Sequence, residues 1–597
     1  EATEENTEPY SQIEMAARMR SHREKQFMHE AAAAAHAAVH LDDLVVPTDK
    51  DIRILVRPLT RARSVSPGNL DNCEWLQLTA EVAEPKQPEH KVLAVTQTER
   101  DIKFSVRMPG ERHPPLWCEL YYDPSSSNQM FLNCSDLPLT LSRVPQNPAI
   151  SPAQEHVVNP QMMQKLTPGT WRIKVTGVNV LDFRIVEKRP VIRRLPFTPR
   201  SLSASSSDML NLSGKRQLVA EDSASSADKR QRAEDDISMG EDGVVMFMRP
   251  GNAGDPLVFP LPTEDRRREI VSTRGNPLVE LEDGAEVEIP GGEVYTIKKV
   301  DLIASTSLSA VARAEFSRVP DSIITIKVLK TSLTQRANAT ARPQEEERNV
   351  MRQSETWLRE FVNHERLNHK SIPRLFGGDS RYLSLYMEHI EAKDLTIRGA
   401  WQNAQTTMFT GSRLDAEKIL RDISSALDYL HAKNLTHNDI KPGNIIYNAQ
   451  RGAVLCDFGM SFERSAAQSG IGGTPYYIGP EYIIHKLRGT SGDVWAFGVT
   501  MLYVLGKLGL PEARSIKKHP EYLYWQIREV NAPAHAQRAQ QGSDGLTALE
   551  KMRTWLDIVG EAKKRLRTSD PIERLVAKML TLKPHHRITM RKVVETL

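Results

Sequence analysis

From about residue 50 to residue 190 apolar and polar positions alternate in short runs. Examples are Ile52-Arg53-Ile54-Leu55-Val56, Trp75-Leu76-Gln77-Leu78, Ile102-Lys103-Phe104-Ser105-Val106 and Leu116-Trp117-Cys118-Glu119-Leu120-Tyr121-Tyr122. Met130-Phe131-Leu132-Asn133, Trp171-Arg172-Ile173-Lys174-Val175 and Phe183-Arg184-Ile185-Val186 continue the series. A period of two marks half-buried strands, and turn chemistry at Asp123-Pro124-Ser125 and Thr167-Pro168-Gly169-Thr170 separates them. Regular spacing of this kind predicts a β-sandwich over 46–192. Residues 10–41 read as helix with an Ala-rich stretch at Ala31–Ala35, within an N-terminal segment 1–45. Residues 193–245 are rich in Ser, Asp and Glu and poor in aromatics, which predicts a disordered linker. After an extension over 246–294 the pattern becomes mixed. Ile323-Ile324-Thr325-Ile326-Lys327-Val328 is a β-branched strand signal, and Ala416 to His431 repeats apolar residues at helical spacing through Ile419, Leu420, Ile423, Leu427 and Leu430. The expected class is α+β: a large C-terminal unit over 295–597, preceded by a smaller β domain.

Charge changes this picture little. The 79 basic and 76 acidic residues nearly cancel, so nothing marks a global surface for nucleic acid or anionic membrane. No apolar run is long enough to span a bilayer, and no signal-peptide pattern opens the chain. The sequence begins at Glu1 rather than Met and is read as a possible fragment. Four cysteines, Cys73, Cys118, Cys134 and Cys456, are widely spaced without metal-ligand pairs, which predicts free thiols in a reducing compartment. Lys215-Arg216 and Lys229-Arg230-Gln231-Arg232, twelve residues apart, resemble a bipartite nuclear localisation signal. An import receptor is thus an expected partner, with the nucleus or the cytoplasm as the location. The alternative is a mixed-charge linker, since Asp222, Asp228, Glu234, Asp235 and Asp236 surround the clusters.

His437-Asn438-Asp439-Ile440-Lys441-Pro442-Gly443-Asn444 is followed by Asp457-Phe458-Gly459, then Gly472-Gly473-Thr474-Pro475 and Gly479-Pro480-Glu481. In this order the segments resemble the catalytic loop, metal-binding loop and activation segment of eukaryotic protein kinases. The resemblance covers roughly 290–597 and implies a two-lobed kinase fold using ATP and Mg²⁺. Phosphoryl transfer asks for positioning and neutralisation of charge on oxygen. By resemblance Asp439 accepts the proton of the attacking hydroxyl, Lys441 reaches the transferring phosphate, and Asn444 with Asp457 offers the oxygen ligands that Mg²⁺ prefers. Lys441 followed by Pro-x-Asn, with Thr474, is the serine/threonine pattern. Asp493 resembles the brace of the catalytic loop, Arg587 the buried partner of Glu481, and His437 a structural residue packed on Phe458.

Lys327 resembles the strand lysine that holds the α- and β-phosphates. Its partner is expected nine residues before the His of Leu367-Asn368-His369, which selects Glu360 over Glu355 and Glu365. Met387 falls at the gatekeeper position, Glu388 and Ile390 at the backbone groups that bind adenine, and Asp394 at the ribose acid. Thr325 stands where the family places Ala against adenine, and Ile446 joins the expected nucleotide pocket. Anchoring on Val311 puts the three glycine positions of the phosphate loop on Ala304, Thr306 and Ser309. None is glycine, although their N–H groups are expected to stay available.

The expectation is an active serine/threonine kinase recruited to partners by its β domain. The alternative is a pseudokinase scaffold; a small-molecule kinase of the same fold is a further rival. Asn438 replaces the common Arg before the catalytic Asp, so activation-segment phosphorylation is expected to find no charged pocket there; Ser461, Ser465 and Ser469 are read as solvated loop serines. The β domain faintly resembles a forkhead-associated domain through Asn133-x-Ser135, which implies a phosphoprotein partner. Cys456 is expected to be an inert core thiol, yet its place beside the ATP site would make it a handle for a covalent inhibitor.

Overall fold

A computed structural model describes residues 40–59, 90–108, 116–145, 155–196, 269–331, 343–463, 473–515 and 548–597, a few positions excepted, with short strands elsewhere. The expected helix over 10–41 lies almost wholly outside the described residues, as do both basic clusters of the linker. At its edge Leu41–Asp43 forms one 3₁₀ turn.

Every run of alternating residues named above lies in or overlaps a strand. A seven-stranded antiparallel sheet runs in the order Trp75–Ala80, His90–Thr96, Ile52–Pro58, Val178–Ile185, Gly169–Val175, Leu139–Arg143, Glu155–Val158. A five-stranded sheet of Met163–Leu166, Gln129–Asn133, Leu116–Tyr122, Lys103–Met108 and Ser66–Pro67 faces it. Ile54, Val56, Phe104, Leu120, Phe131, Leu141, Ile173 and Phe183 fill the space between, so the β domain is a sandwich. Gly169 sits at φ +117, where a β-carbon would strike the Arg143 guanidinium, which fixes the Pro168-Gly169 turn.

The expected boundary at 192/193 cuts through a strand. Val191–Arg194 pairs with Glu286–Ile289 and Glu269–Ser272, which makes it part of an eight-stranded sheet with Tyr295–Ser305, Ser309–Phe316, Val319–Leu329, Ser384–Glu388 and Leu375–Asp379. Val191 is buried with Val287, Ile289 and Ile297, and that apolar face is why the strand joins this sheet. The expected boundaries at 192/193 and 294/295 therefore both fall inside one sheet, while residues 197–244 of the expected linker lie outside the described part.

Helix α1, Pro343–Glu365, packs across this sheet and carries Trp357, wholly buried, whose Nε1 donates to the Ser384 carbonyl at 2.8 Å. Its outer face is covered by the sandwich. Ile102, Tyr121 and Met130 join Val350, Trp357, Phe361, Leu383 and Leu385 in one apolar cluster. Burying such side chains contributes roughly 1.5–3 kcal/mol each. Around it run Tyr121 Oη to Glu355 at 3.1 Å, Arg100 to Glu365 at 2.5 Å, and a bidentate Arg318–Glu99 pair at 2.9 and 2.7 Å. The two carboxylates that competed with Glu360 in the sequence thus belong to this seam.

The C-terminal lobe is built on α2, Arg413–Ala432, whose expected apolar stripe is buried against Trp495, Phe497 and Leu502 of the helix Thr490–Val504. Ser412 caps α2 in a capping box with Asp415. Of the charged segment expected as helices and an insertion, Ala548–Lys564 is helical; residues 516–547 lie outside the described part.

Candidate active site

Ala304, Thr306, Ser309, Val311, Thr325, Lys327, Glu360, Met387, Glu388, Ile390, Asp394, Asn444, Ile446 and Asp457 all line one cleft of about 960 Å³ between the lobes. Sheet register explains the roof. Val311 lies opposite both Ala304 and Lys327, and Thr325 opposite Met387, so alternate residues of adjacent strands face the cleft together.

Lys327 Nζ donates to Glu360 Oε1 and Oε2 at 2.7 and 2.9 Å and to Asp457 Oδ1 at 2.7 Å. Burial alone would lower the Lys327 pKa, but Asp457 and Glu360 outweigh it and hold the ammonium above its ordinary value. Lys327 in turn holds the Asp457 carboxyl well below the usual carboxylate range. Asp457 is kept at φ +69, a conformation that non-glycine residues rarely adopt and that turns its carboxylate into the cleft.

Asp439, next to the cleft residue Asn444, sits in a closed network. Its Oδ1 accepts from the Thr474 N–H and hydroxyl at 3.0 and 2.8 Å, and its Oδ2 from Lys441 Nζ and Asn444 Nδ2 at 2.7 and 3.1 Å. Lys441 also donates to Thr474 Oγ1 at 2.9 Å. Asp493 braces the loop by accepting from the His437 and Asn438 N–H groups at 2.9 and 2.8 Å. His437 accepts from the Asp439 N–H and donates to the Cys456 carbonyl; it lies edge-on to Phe458, its pKa lowered by burial. It is a neutral strut, as expected. Arg587, also as expected, forks onto Glu481 at 2.7 and 2.8 Å.

The oxygen donors fit Mg²⁺. Asn444 spends its amide N–H groups on Asp439, which leaves its Oδ1 beside Asp457 in the same cleft, and hard oxygen ligands are the set this ion takes. Among the described residues no group of three or more His, Cys, Asp and Glu side chains could hold a metal alone. At the hinge, the Ile390 carbonyl already accepts from Ala392 at 2.7 Å, so its N–H is the group left for adenine. Asp394 Oδ1 accepts from the Thr396 N–H and hydroxyl, which leaves Oδ2 for a ribose.

Two expectations need correction. The N–H groups of Thr306 and Ser309 are not available: the Ser309 carbonyl accepts the first at 2.8 Å and Thr306 Oγ1 the second at 3.0 Å. Thr306 Oγ1 also accepts from the Leu308 N–H at 3.2 Å, and Lys330 clamps the same turn through Ser305 Oγ and the Thr306 carbonyl. A hydroxyl where the family keeps glycine lets the loop satisfy itself. Ser461 is not a solvated loop serine but fully buried, while Ser465 and Ser469 lie outside the described residues. Cys456 is half-buried and lines the cleft beside Asp457, and burial pushes its thiol up to about 12, so little reactive thiolate is present near pH 7.

Sequence reasoning missed two residues. His389 Nδ1 lies 3.0 Å from Thr325 Oγ1, so the hydroxyl that replaces alanine is tied to the hinge. Arg488 puts Nη1 3.4 Å from the Asn438 carbonyl, which supplies a positive charge beside the loop that Asn438 itself lacks. His389 sits within the hinge run, where nothing in the sequence ties it to Thr325, and Arg488 belongs to no recognisable motif.

The family profile described as the protein kinase domain matches residues 326–597, and this part of the chain is a protein kinase domain. The match begins one residue before Lys327, after the glycine-free turn. Calcium/calmodulin-dependent protein kinase type 1 of Macrobrachium nipponense is 29% identical over 230 residues, 37% of this chain and 59% of that protein. Serine/threonine-protein kinase dst1 of Dictyostelium discoideum is 30% identical over 218 residues, 36% of this chain and 26% of that protein. Serine/threonine-protein kinase DCLK1 of Rattus norvegicus is 34% identical over 149 residues, 24% of this chain and 33% of that protein. The chain thus spans less than two thirds of the length of each.

Proposed function

We propose that the chain is a serine/threonine protein kinase that moves the γ-phosphoryl group of ATP to protein hydroxyls. The observation that carries this reading is the closed network of Asp439, Lys441, Asn444 and Thr474 facing the Lys327–Glu360–Asp457 cluster. Lys327, fixed by Glu360, draws nucleotide phosphate to one depth in the cleft. Asn444 and Asp457 would hold Mg²⁺, which neutralises charge on the phosphate oxygens when bound. Asp439 receives the substrate proton once a hydroxyl takes over one of its four contacts. Lys441, two residues away, neutralises charge on the transferring group.

A second reading, a scaffold, is favoured by the Thr306 hydroxyl occupying the N–H groups that would otherwise meet phosphate. The deciding experiment follows transfer from Mg²⁺-ATP to a generic basic protein, comparing the parent with Lys327→Met. Transfer by the parent that falls at least about 100-fold in the variant is expected, the scale of a lost charge-positioning contact. Absence of both transfer and nucleotide binding would leave the scaffold.

The β domain is read as the recruiting part, with a phosphoprotein as its partner, and nuclear residence through Lys215, Arg216, Lys229, Arg230 and Arg232 belongs to the same reading. In the Asn133-x-Ser135 turn Asn133 already serves the fold, donating to the Leu137 and Val158 carbonyls. The sandwich has a second task in this reading: it presses α1, and with it Glu360, toward Lys327. Ile102→Ala combined with Met130→Ala is expected to lower kcat roughly tenfold, equivalent to about 1.4 kcal/mol, in protein that keeps its helix content. An unchanged kcat, with proteolysis showing the seam opened, would refute this bracing role.

A further inference from the structure

At the joint between sandwich and N-terminal lobe lies a cavity of about 50 Å³, where one water needs on the order of 10–15 Å³. Its wall is strongly cationic. Arg53, Lys188, Arg189, Arg274 and Arg381 face it, against the carboxylates of Asp51 and Glu187. Asp379, behind Arg381, accepts from that guanidinium at 2.7 Å and accounts for one more cation. Asp123, buried beside Arg53 and Lys188, accounts for another, and the exposed Arg274 and Glu187 offset each other, so one positive charge is left over.

The hydrogen bonds show the same deficit. Arg53 is only 5% exposed; its Nε and Nη1 reach the Val186 carbonyl and Gln97 Oε1, while Nη2 is buried with no partner. Arg189 pairs with Asp51 through Nε at 3.3 Å, and its Nη2 is likewise buried and unpartnered. Lys188 Nζ has the Pro124 carbonyl at 2.7 Å, and burial, reinforced by Arg53, pushes its pKa down to about 7. Buried charges are ordinarily paired, and buried guanidinium N–H groups ordinarily have acceptors. Water supplies acceptors but no charge, so water alone leaves the excess in place. An anion answers both deficits, and guanidinium forks match tetrahedral oxyanions well.

We propose that this cavity is a binding site for a tetrahedral oxyanion of the phosphate class, bridging the first strand of the sandwich and the kinase lobe. It is separate from the nucleotide cleft. It also lies away from the Asn133 turn, since Arg53 stacks on Tyr122 at the opposite end of the strand Leu116–Tyr122. Two sources share this chemistry: free phosphate, or a phosphoryl group on Ser272, a residue of the cavity wall whose hydroxyl donates to the Arg274 carbonyl at 2.8 Å.

The test uses the full chain, treated with phosphatase and exchanged into phosphate-free buffer, then titrated with inorganic phosphate at constant ionic strength. A saturable rise of about 2 °C or more in the thermal midpoint is expected, as for any ligand that binds only the folded state. The rise should persist in Lys327→Met and vanish in Arg189→Gln and in Lys188→Met. Lys188→Met guards against simple misfolding, because burial already disfavours the ammonium and its removal should leave the midpoint without phosphate no lower than in the parent. No rise, or the same rise in all variants, overturns the proposal. Mass spectrometry before phosphatase treatment separates the sources. A chain modified on Ser272 and unresponsive until treated identifies the covalent group; an unmodified chain that responds identifies free phosphate.

Discussion

Asp439→Asn is expected to lower phosphoryl transfer about 10²–10⁴-fold, the contribution of a positioned general base, with little loss of folded protein. The amide keeps the size of the carboxylate and can still accept from Thr474 through its oxygen, so the loop is not expected to collapse. It cannot take a proton from a hydroxyl, and its NH₂ group faces the Lys441 and Asn444 donors where a carboxylate oxygen stood. Lys441, which donates to Asp439 at 2.7 Å, loses that acceptor and is left with Thr474. Steady-state transfer beside nucleotide affinity makes the check: kcat should fall while ATP binding, set by Lys327 and the hinge, stays within a few-fold. Equal activity in variant and parent would remove Asp439 from the role of base.

Arg587→Met is expected to destabilise the C-terminal lobe by about 3–5 kcal/mol, the cost of stranding one member of a buried ion pair. Arg587 is inaccessible in its side chain and Glu481 nearly so. Beyond the fork onto Glu481, Arg587 donates to the carbonyls of Thr581, Ser491 and Leu582 and stacks on Trp495 at 5.1 Å. Glu481 left alone would have to be protonated or hydrated in a closed space. Adding Glu481→Gln to Arg587→Met should return part of the loss, since the stranded charge is gone. Denaturant unfolding of the single and double variants measures both quantities; a loss under about 1 kcal/mol for Arg587→Met would mean that the pair is solvated in solution.

Much of this was legible in the sequence because local patterns carried it. Alternating residues such as Phe104, Leu120 and Ile173 named the strands, and the fixed spacing from His369 back to Glu360 picked the right carboxylate among three. Motifs around Asp439 and Asp457 brought together residues that the fold does join. Long-range pairings were not legible. Val191–Arg194 reads like the end of the sandwich, and only its partners on Glu269–Ser272 and Glu286–Ile289 assign it to the lobe. Ile102 and Met130 look like sandwich residues of no special kind, because nothing in a strand pattern says what covers its outer face. Thr306 is illegible for a different reason: a motif position says which side chain stands near phosphate, not that its hydroxyl accepts the loop's own N–H groups.

The strand Val191–Arg194 and the seam on α1 have one more consequence. Two units joined by a strand that leaves one and pairs into the sheet of the other, and by an apolar seam, do not swing like beads on a string. Under the recruitment reading, whatever the sandwich grips is held at a set distance and bearing from Asp439. The enzyme then acts as a ruler: a hydroxyl is chosen because it hangs at the right reach from the gripped feature, whatever its flanking residues.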